Sequence, residues 1–90
     1  YSFYPAYCSL YDIEYTRIPL VKKFNINLKD YLINNGGIIF PNPNAPTGIP
    51  KKIVDIENLL KLNQESVVVV DEAYVDFGTD SAITLLNKYN

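Results

Sequence analysis

The chain contains no histidine, no methionine and no tryptophan, and Cys8 is its one cysteine. Without histidine, Ser/His and Cys/His catalytic pairs and the usual zinc-ligand sets are excluded. A lone Cys8 cannot close an internal disulfide. Set among aromatic residues with no Cys or His partner, it reads as a small, partly buried apolar side chain rather than a nucleophile or ligand. An excess of charge of either sign is also lacking: 8 basic and 10 acidic residues are mixed along the sequence, for a net charge of −2. No basic stripe is available to neutralise a phosphate backbone, so a nucleic-acid partner is not expected. The longest uninterrupted apolar run is Val67 to Val70. That is far short of the roughly 20 residues a membrane-spanning helix needs, so no membrane partner is expected either. The sequence opens on Tyr1-Ser2-Phe3-Tyr4, with no initiator methionine and no signal-peptide pattern, which is compatible with an excised or proteolysed piece and also with processing.

What is present is a globular composition, with 48% hydrophobic and 20% charged residues over 90 positions. One segment spanning 1–90 is expected, with no repeat and no flexible linker. Tyr4 to Tyr11 reads as a short helix opened by Pro5, which needs no hydrogen-bond donor at a first helical position. Tyr4, Tyr7 and Tyr11 share one face of it, chiefly as packing. Glu14 to Val21 reads as a strand with Pro19 near its end or at an edge. Asn27 is placed to cap a helix from Leu28 to Ile33, with Asp30 completing an imperfect capping box, and Asn35-Gly36-Gly37 closes it.

Gly37 to Phe40 reads as a second strand, and Pro41 to Pro50 as a rigid loop holding four prolines. Lys51 to Leu62 is the clearest helix: Ile53, Ile56, Leu59 and Leu60 form an apolar stripe opposite Lys52, Asp55 and Asn58. Val67 to Val70, continuous and β-branched, reads as a strand buried on both faces. Ser81 to Tyr89 reads as a last helix whose apolar side is Ile83, Leu85 and Leu86. This βαβ alternation implies an α/β fold with a parallel sheet and right-handed crossovers. A sheet of that kind needs helices on both faces, for which 90 residues is short, and a fragment is again expected.

Open α/β sheets bind ligands at the carboxyl ends of their strands. Two segments fall there: the Asn42 to Gly48 loop after the second strand, and Asp71-Glu72-Ala73-Tyr74 after the third. If those strands are neighbours, an amide, a carboxylate and a phenol meet in one crevice. Asp71 stands out because it ends four valines, where an unpaired buried carboxylate is costly. Its plain role would be to cap a helix or the amides of the following loop; the alternative is ligand or metal contact. Asp71-Glu72 after an apolar strand also suits a Walker B acid pair, but that reading needs a glycine-rich phosphate loop with lysine, which these residues do not contain.

The loop Pro41-Asn42-Pro43-Asn44-Ala45-Pro46-Thr47-Gly48 resembles the Asn-Pro-Thr-Gly region of fold-type-I aminotransferases. Val70-Asp71-Glu72-Ala73-Tyr74 resembles the Asp-Glu-Ala-Tyr segment that follows it in that family. Tyr1 to Tyr7 and Val75-Asp76-Phe77 look like the histidinol-phosphate aminotransferase subfamily. The resemblance covers the whole chain. It implies a middle piece of the large, coenzyme-binding domain, three-layer α/β/α with a mainly parallel sheet, from a cytoplasmic homodimeric enzyme of histidine biosynthesis. It also implies pyridoxal 5'-phosphate as coenzyme, and histidinol phosphate with 2-oxoglutarate or glutamate as substrates. Asp71 then matches the aspartate paired with the coenzyme's pyridine nitrogen. Tyr74 matches the tyrosine bonded to its phenolic oxygen, and Tyr1 the aromatic residue stacked on its ring.

Two departures accompany the resemblance. The family's asparagine stands immediately before Pro-Thr-Gly, where this chain has Ala45, and the asparagine is one residue earlier, Asn44. Either Asn44 is redirected to the coenzyme or it serves an Asx-type turn. The family's Schiff-base lysine also lies outside this chain; Lys22, Lys23, Lys29, Lys51, Lys52, Lys61 and Lys88 are in contexts that do not match it. The piece alone is therefore expected to be inactive. Three further readings stay open: another amino-acid aminotransferase of the same fold, a nucleotide-hydrolase fragment, or a folded piece that associates through exposed sheet edges.

Overall fold

The computed structural model describes residues 1–89. A helix α1 (Phe3–Leu10) leads into an extended, mostly exposed stretch. A strand β1 (Gly37–Pro41), a helix α2 (Ile53–Leu62) and a strand β2 (Val67–Asp71) then form a βαβ unit. The two strands pair in parallel, in register from Gly37 opposite Val67 to Pro41 opposite Asp71. Short 3₁₀ turns at Lys22–Phe24, Leu28–Tyr31, Val75–Phe77 and Ala82–Leu85 complete the described regular structure. None of the helices among the described residues is long and apolar enough to cross a membrane.

The core is Ile26, Ile38, Phe40, Ile56, Leu59 and Leu85. Alternation along β1 sends Ile38 and Phe40 to one face, where Val68 and Val70 join them against α2. The expected stripe of α2 supplies Ile56 and Leu59 fully to this core, with Ile53 and Leu60 at its margin. Complete burial of a side chain such as Ile56 contributes about 1.5–3 kcal/mol. Asn63 ends the helix: its backbone amide donates to the Leu60 carbonyl at 3.2 Å. Its side-chain amide donates to Leu59 at 2.9 Å, satisfying carbonyls that the last turn leaves open.

Five expectations need correction. Glu14 to Val21 forms no strand; its one pairing is an isolated bridge from Val21 to Asn25. Pro19 withholds a donor there, and β1 is paired to β2 instead. The valine run is half-buried on one face only, at Val68 and Val70, since Val67 and Val69 are exposed beside Ile39. The last helix shrinks to the turn Ala82–Leu85: Leu85 reaches the core while Ile83 and Leu86 stay in solvent. A helix this short gains its stability from packing, and one anchoring leucine holds one turn. Finally, α1 buries none of its residues, so Tyr7 and Tyr11 do not form a packed stripe. The helix expected from Leu28 to Ile33 is likewise reduced to the turn Leu28–Tyr31, ending at Leu32 before Asn35-Gly36-Gly37, and the cap at Asn27 is present in altered form, accepting from the Lys29 amide while its own side-chain amide donates to Asp30.

Candidate functional site

Parallel pairing places the ends of β1 and β2 together, so the chain leaves Pro41 and Asp71 side by side. The Asn42 backbone amide donates to the Asp71 carbonyl at 2.8 Å, extending the pairing one step into the loop. Asn42 itself is fully buried. Its side-chain oxygen accepts from the Lys51 amide at 2.7 Å, and its side-chain nitrogen donates to the Lys51 carbonyl at 3.3 Å. One amide therefore pins both ends of the proline-rich segment.

The loop walls a cleft of about 840 Å³ lined by Tyr1, Asn44, Ala45, Pro46, Tyr74 and Phe77, among others. That volume and the mix of aromatic walls with few polar groups suit a small organic ligand. Three of the expected site residues, Tyr1, Asn44 and Tyr74, thus share one cleft. Tyr1 and Tyr74 are half-exposed, and the Tyr1 ring stacks on Phe3 with centroids 6.4 Å apart. Asn44 is buried, and its side-chain nitrogen donates to Thr47 Oγ1 at 2.7 Å, so part of its capacity goes to the loop turn.

Asp71 does not line that cleft. Its carboxylate accepts from the Tyr4 hydroxyl at Oδ2, 2.8 Å away, and from the Ala73 amide at Oδ1, 3.1 Å away. Tyr4 in turn meets the Tyr1 ring edge-on, with centroids 5.3 Å apart. Asp71 is accordingly one side chain removed from the cleft wall. The neighbouring Glu72 plays a structural part, accepting from the Ser81 hydroxyl and the Ala82 amide and so holding the start of the last 3₁₀ turn. Burial, and then the bond to Asp71, push the Tyr4 phenol well above the ordinary tyrosine range.

Sequence reasoning assigned Tyr4 to packing and gave Phe77 no role in a site. The signal for Tyr4 was its spacing: three positions after Tyr1, it lies on the same side of the opening helical turn. Nothing in the local pattern pointed from Tyr4 to Asp71, because that contact joins residues distant in sequence.

A family model described as aminotransferase class I and II matches residues 1–90. The chain is 57% identical to histidinol-phosphate aminotransferase 1 of Methylococcus capsulatus over 89 residues, covering 99% of this chain and 25% of that protein. It is 60% identical to histidinol-phosphate aminotransferase 1 of Hydrogenovibrio crunogenus, again over 99% of this chain and 25% of the relative. The second histidinol-phosphate aminotransferase of Dechloromonas aromatica is 59% identical, over 100% of this chain and 26% of that protein. The chain spans about a quarter of the length of the curated relatives it matches. No solved structure matches.

Proposed function

The chain belongs to the class I and II aminotransferase family, and from that premise we propose that it is one segment of a longer enzyme that moves an amino group between histidinol phosphate and 2-oxoglutarate. The observation that carries the reading is the parallel β1–β2 pair. It brings the Asn44–Gly48 loop and the Asp71–Tyr74 segment to one strand end, beside a cleft walled by Tyr1 and Tyr74. The amino donor is proposed from the names of the relatives, each a histidinol-phosphate aminotransferase.

The residues suit pyridoxal 5'-phosphate, on which this enzyme family depends. The aromatic lining of the cleft suits a flat ring, and Asp71, just behind that lining at Tyr4, keeps unused lone pairs that suit a protonated ring nitrogen. When bound, that group supplies an electron sink for bond cleavage at the substrate's α-carbon. Asp71 would hold the proton on the ring nitrogen through a charge-assisted hydrogen bond. Tyr74 would donate its hydroxyl to the ring's phenolic oxygen, and Tyr1 would cover one ring face. With Ala45 in the family's asparagine position, Asn44 is the nearest amide, and its free N–H and oxygen are what it could offer after bonding Thr47.

No lysine lines the cleft among the described residues. We expect this segment alone to bind weakly and not to transaminate, the nucleophilic lysine being supplied by the rest of the enzyme. The two-stranded sheet is proposed as part of a larger three-layer α/β/α domain, from a cytoplasmic homodimer.

Asp71→Asn in the complete enzyme is the central test. Turnover should fall by about a hundredfold or more, the scale on which charge-stabilising groups act at reacting centres. Near-wild-type turnover would remove Asp71 from this role. A panel of amino donors tests the substrate separately: preference for a donor other than histidinol phosphate would keep the family and overturn the substrate assignment.

A further inference from the structure

Tyr4 joins two elements that share little else. Helix α1 contains no buried residue. Among the described residues, the bond from the Tyr4 hydroxyl to Asp71 Oδ2 is the one side-chain hydrogen bond between α1 and the sheet. Its length is 2.8 Å, and it links the first turn of α1 to the last residue of β2. The same ring packs edge-on against Tyr1, with an interplanar angle of 66°.

We infer that Tyr4 is a positioning residue: it aims the Asp71 carboxylate and braces Tyr1 so that both address one aromatic ring bearing a protonated nitrogen. This rests on the role proposed above for Asp71. A carboxylate at a strand end can rotate about two side-chain bonds, and a single donor leaves its plane undefined. Here each oxygen has one donor, Tyr4 at Oδ2 and the Ala73 amide at Oδ1, so the plane is set from both sides. Each carboxylate oxygen accepts about two hydrogen bonds, which leaves one direction open on each for an incoming N–H. The phenol keeps its proton throughout the neutral range, so the Tyr4 hydroxyl stays available as a donor to Asp71 Oδ2. The edge contact with Tyr1 ties the orientation of the ring-covering side chain to the same phenol.

The test uses the complete enzyme freed of coenzyme, as wild type, Tyr4→Phe, Asp71→Asn and the double variant. Two quantities are read: the dissociation constant for pyridoxal phosphate, and the ring-nitrogen resonance of isotopically labelled pyridoxal phosphate in the bound state. Tyr4→Phe keeps the ring and removes only the hydroxyl. It should weaken binding about tenfold, the order expected for a hydrogen bond to a charged group. It should also move the resonance toward that of an unprotonated nitrogen. Asp71→Asn should do both more strongly, and in its background Tyr4→Phe should have no further effect. A lower melting temperature for Tyr4→Phe with an unmoved resonance would make Tyr4 a tether and overturn the inference. An unmoved resonance in Asp71→Asn would overturn the role of Asp71, and the inference with it. A shift in Asp71→Asn but not in Tyr4→Phe would overturn the positioning role alone.

Discussion

Asn42 and Asn44 stand two positions apart in the same loop, yet their amides are engaged differently. Asn42 is tied at both polar atoms to the backbone of Lys51, while its own amide binds the end of β2. Asn42→Ala would leave the Lys51 amide without its acceptor in a partly buried place, at a cost of about 1–3 kcal/mol. Urea unfolding should show this as a lower midpoint, and an unchanged midpoint would mean that water replaces the amide. Asn44 instead shares the turn with Thr47, and the Gly48 amide donates to the Asn44 carbonyl at 2.7 Å. Gly48 sits at φ 70°, and a methyl group placed on its Cα would meet nothing within 4 Å. Gly48→Ala should therefore cost about 1–2 kcal/mol from backbone strain alone, without a clash. Equal stability of the alanine variant would show that the loop relaxes out of the left-handed region. Proline spacing made this loop legible in the sequence. Which asparagine would clamp it was not, because the clamp depends on where Lys51 returns.

The α2 helix was legible for a different reason: a one-sided apolar stripe over three turns permits few other arrangements. Its solvent side carries Glu57, which accepts from the Tyr89 hydroxyl at 2.9 Å and lies near Lys61 and Lys88. The Tyr89 bond, followed by the two lysines, holds the Glu57 carboxyl below its ordinary value. A carboxyl lowered on folding stabilises the native state above its unfolded pKa, and that contribution is lost as pH falls through the folded value. Stability should accordingly drop on the acid side of the ordinary glutamate range, and Glu57→Gln should flatten that part of the profile. Identical acid limbs for the two proteins would remove Glu57 from the account. The segment from Glu14 to Val21 was illegible for the converse reason. A strand needs a partner, and local composition does not say whether one will be present.

Across the whole molecule, the sheet has one covered and one open face. Ile38, Phe40, Val68 and Val70 meet α2, whereas Ile39, Val67 and Val69 are exposed in a row. Contiguous apolar surface of this kind favours association. The 90-residue chain is expected to sediment as concentration-dependent oligomers. Val69→Glu, which puts a charge on the open face, should shift it toward monomer. A chain that stays monomeric at high concentration would count against the open face as an associating surface.

The sequence by itself determined the βαβ order from Gly37 to Asp71, a helix within Lys51–Leu62, and the two motifs that mark the family, because these depend on periodicity and on residues close together in the chain. Only the tertiary structure decided which face of the valine strand would be covered, that Tyr4 would bond Asp71, and that Asn42 would lock the loop. The first two depend on which distant segment arrives alongside, and the third on where the loop returns at Lys51; none of these leaves a trace in local pattern. The absence of histidine closed off whole classes of chemistry at the outset. The pairing of two short strands then set the remaining polar groups side by side.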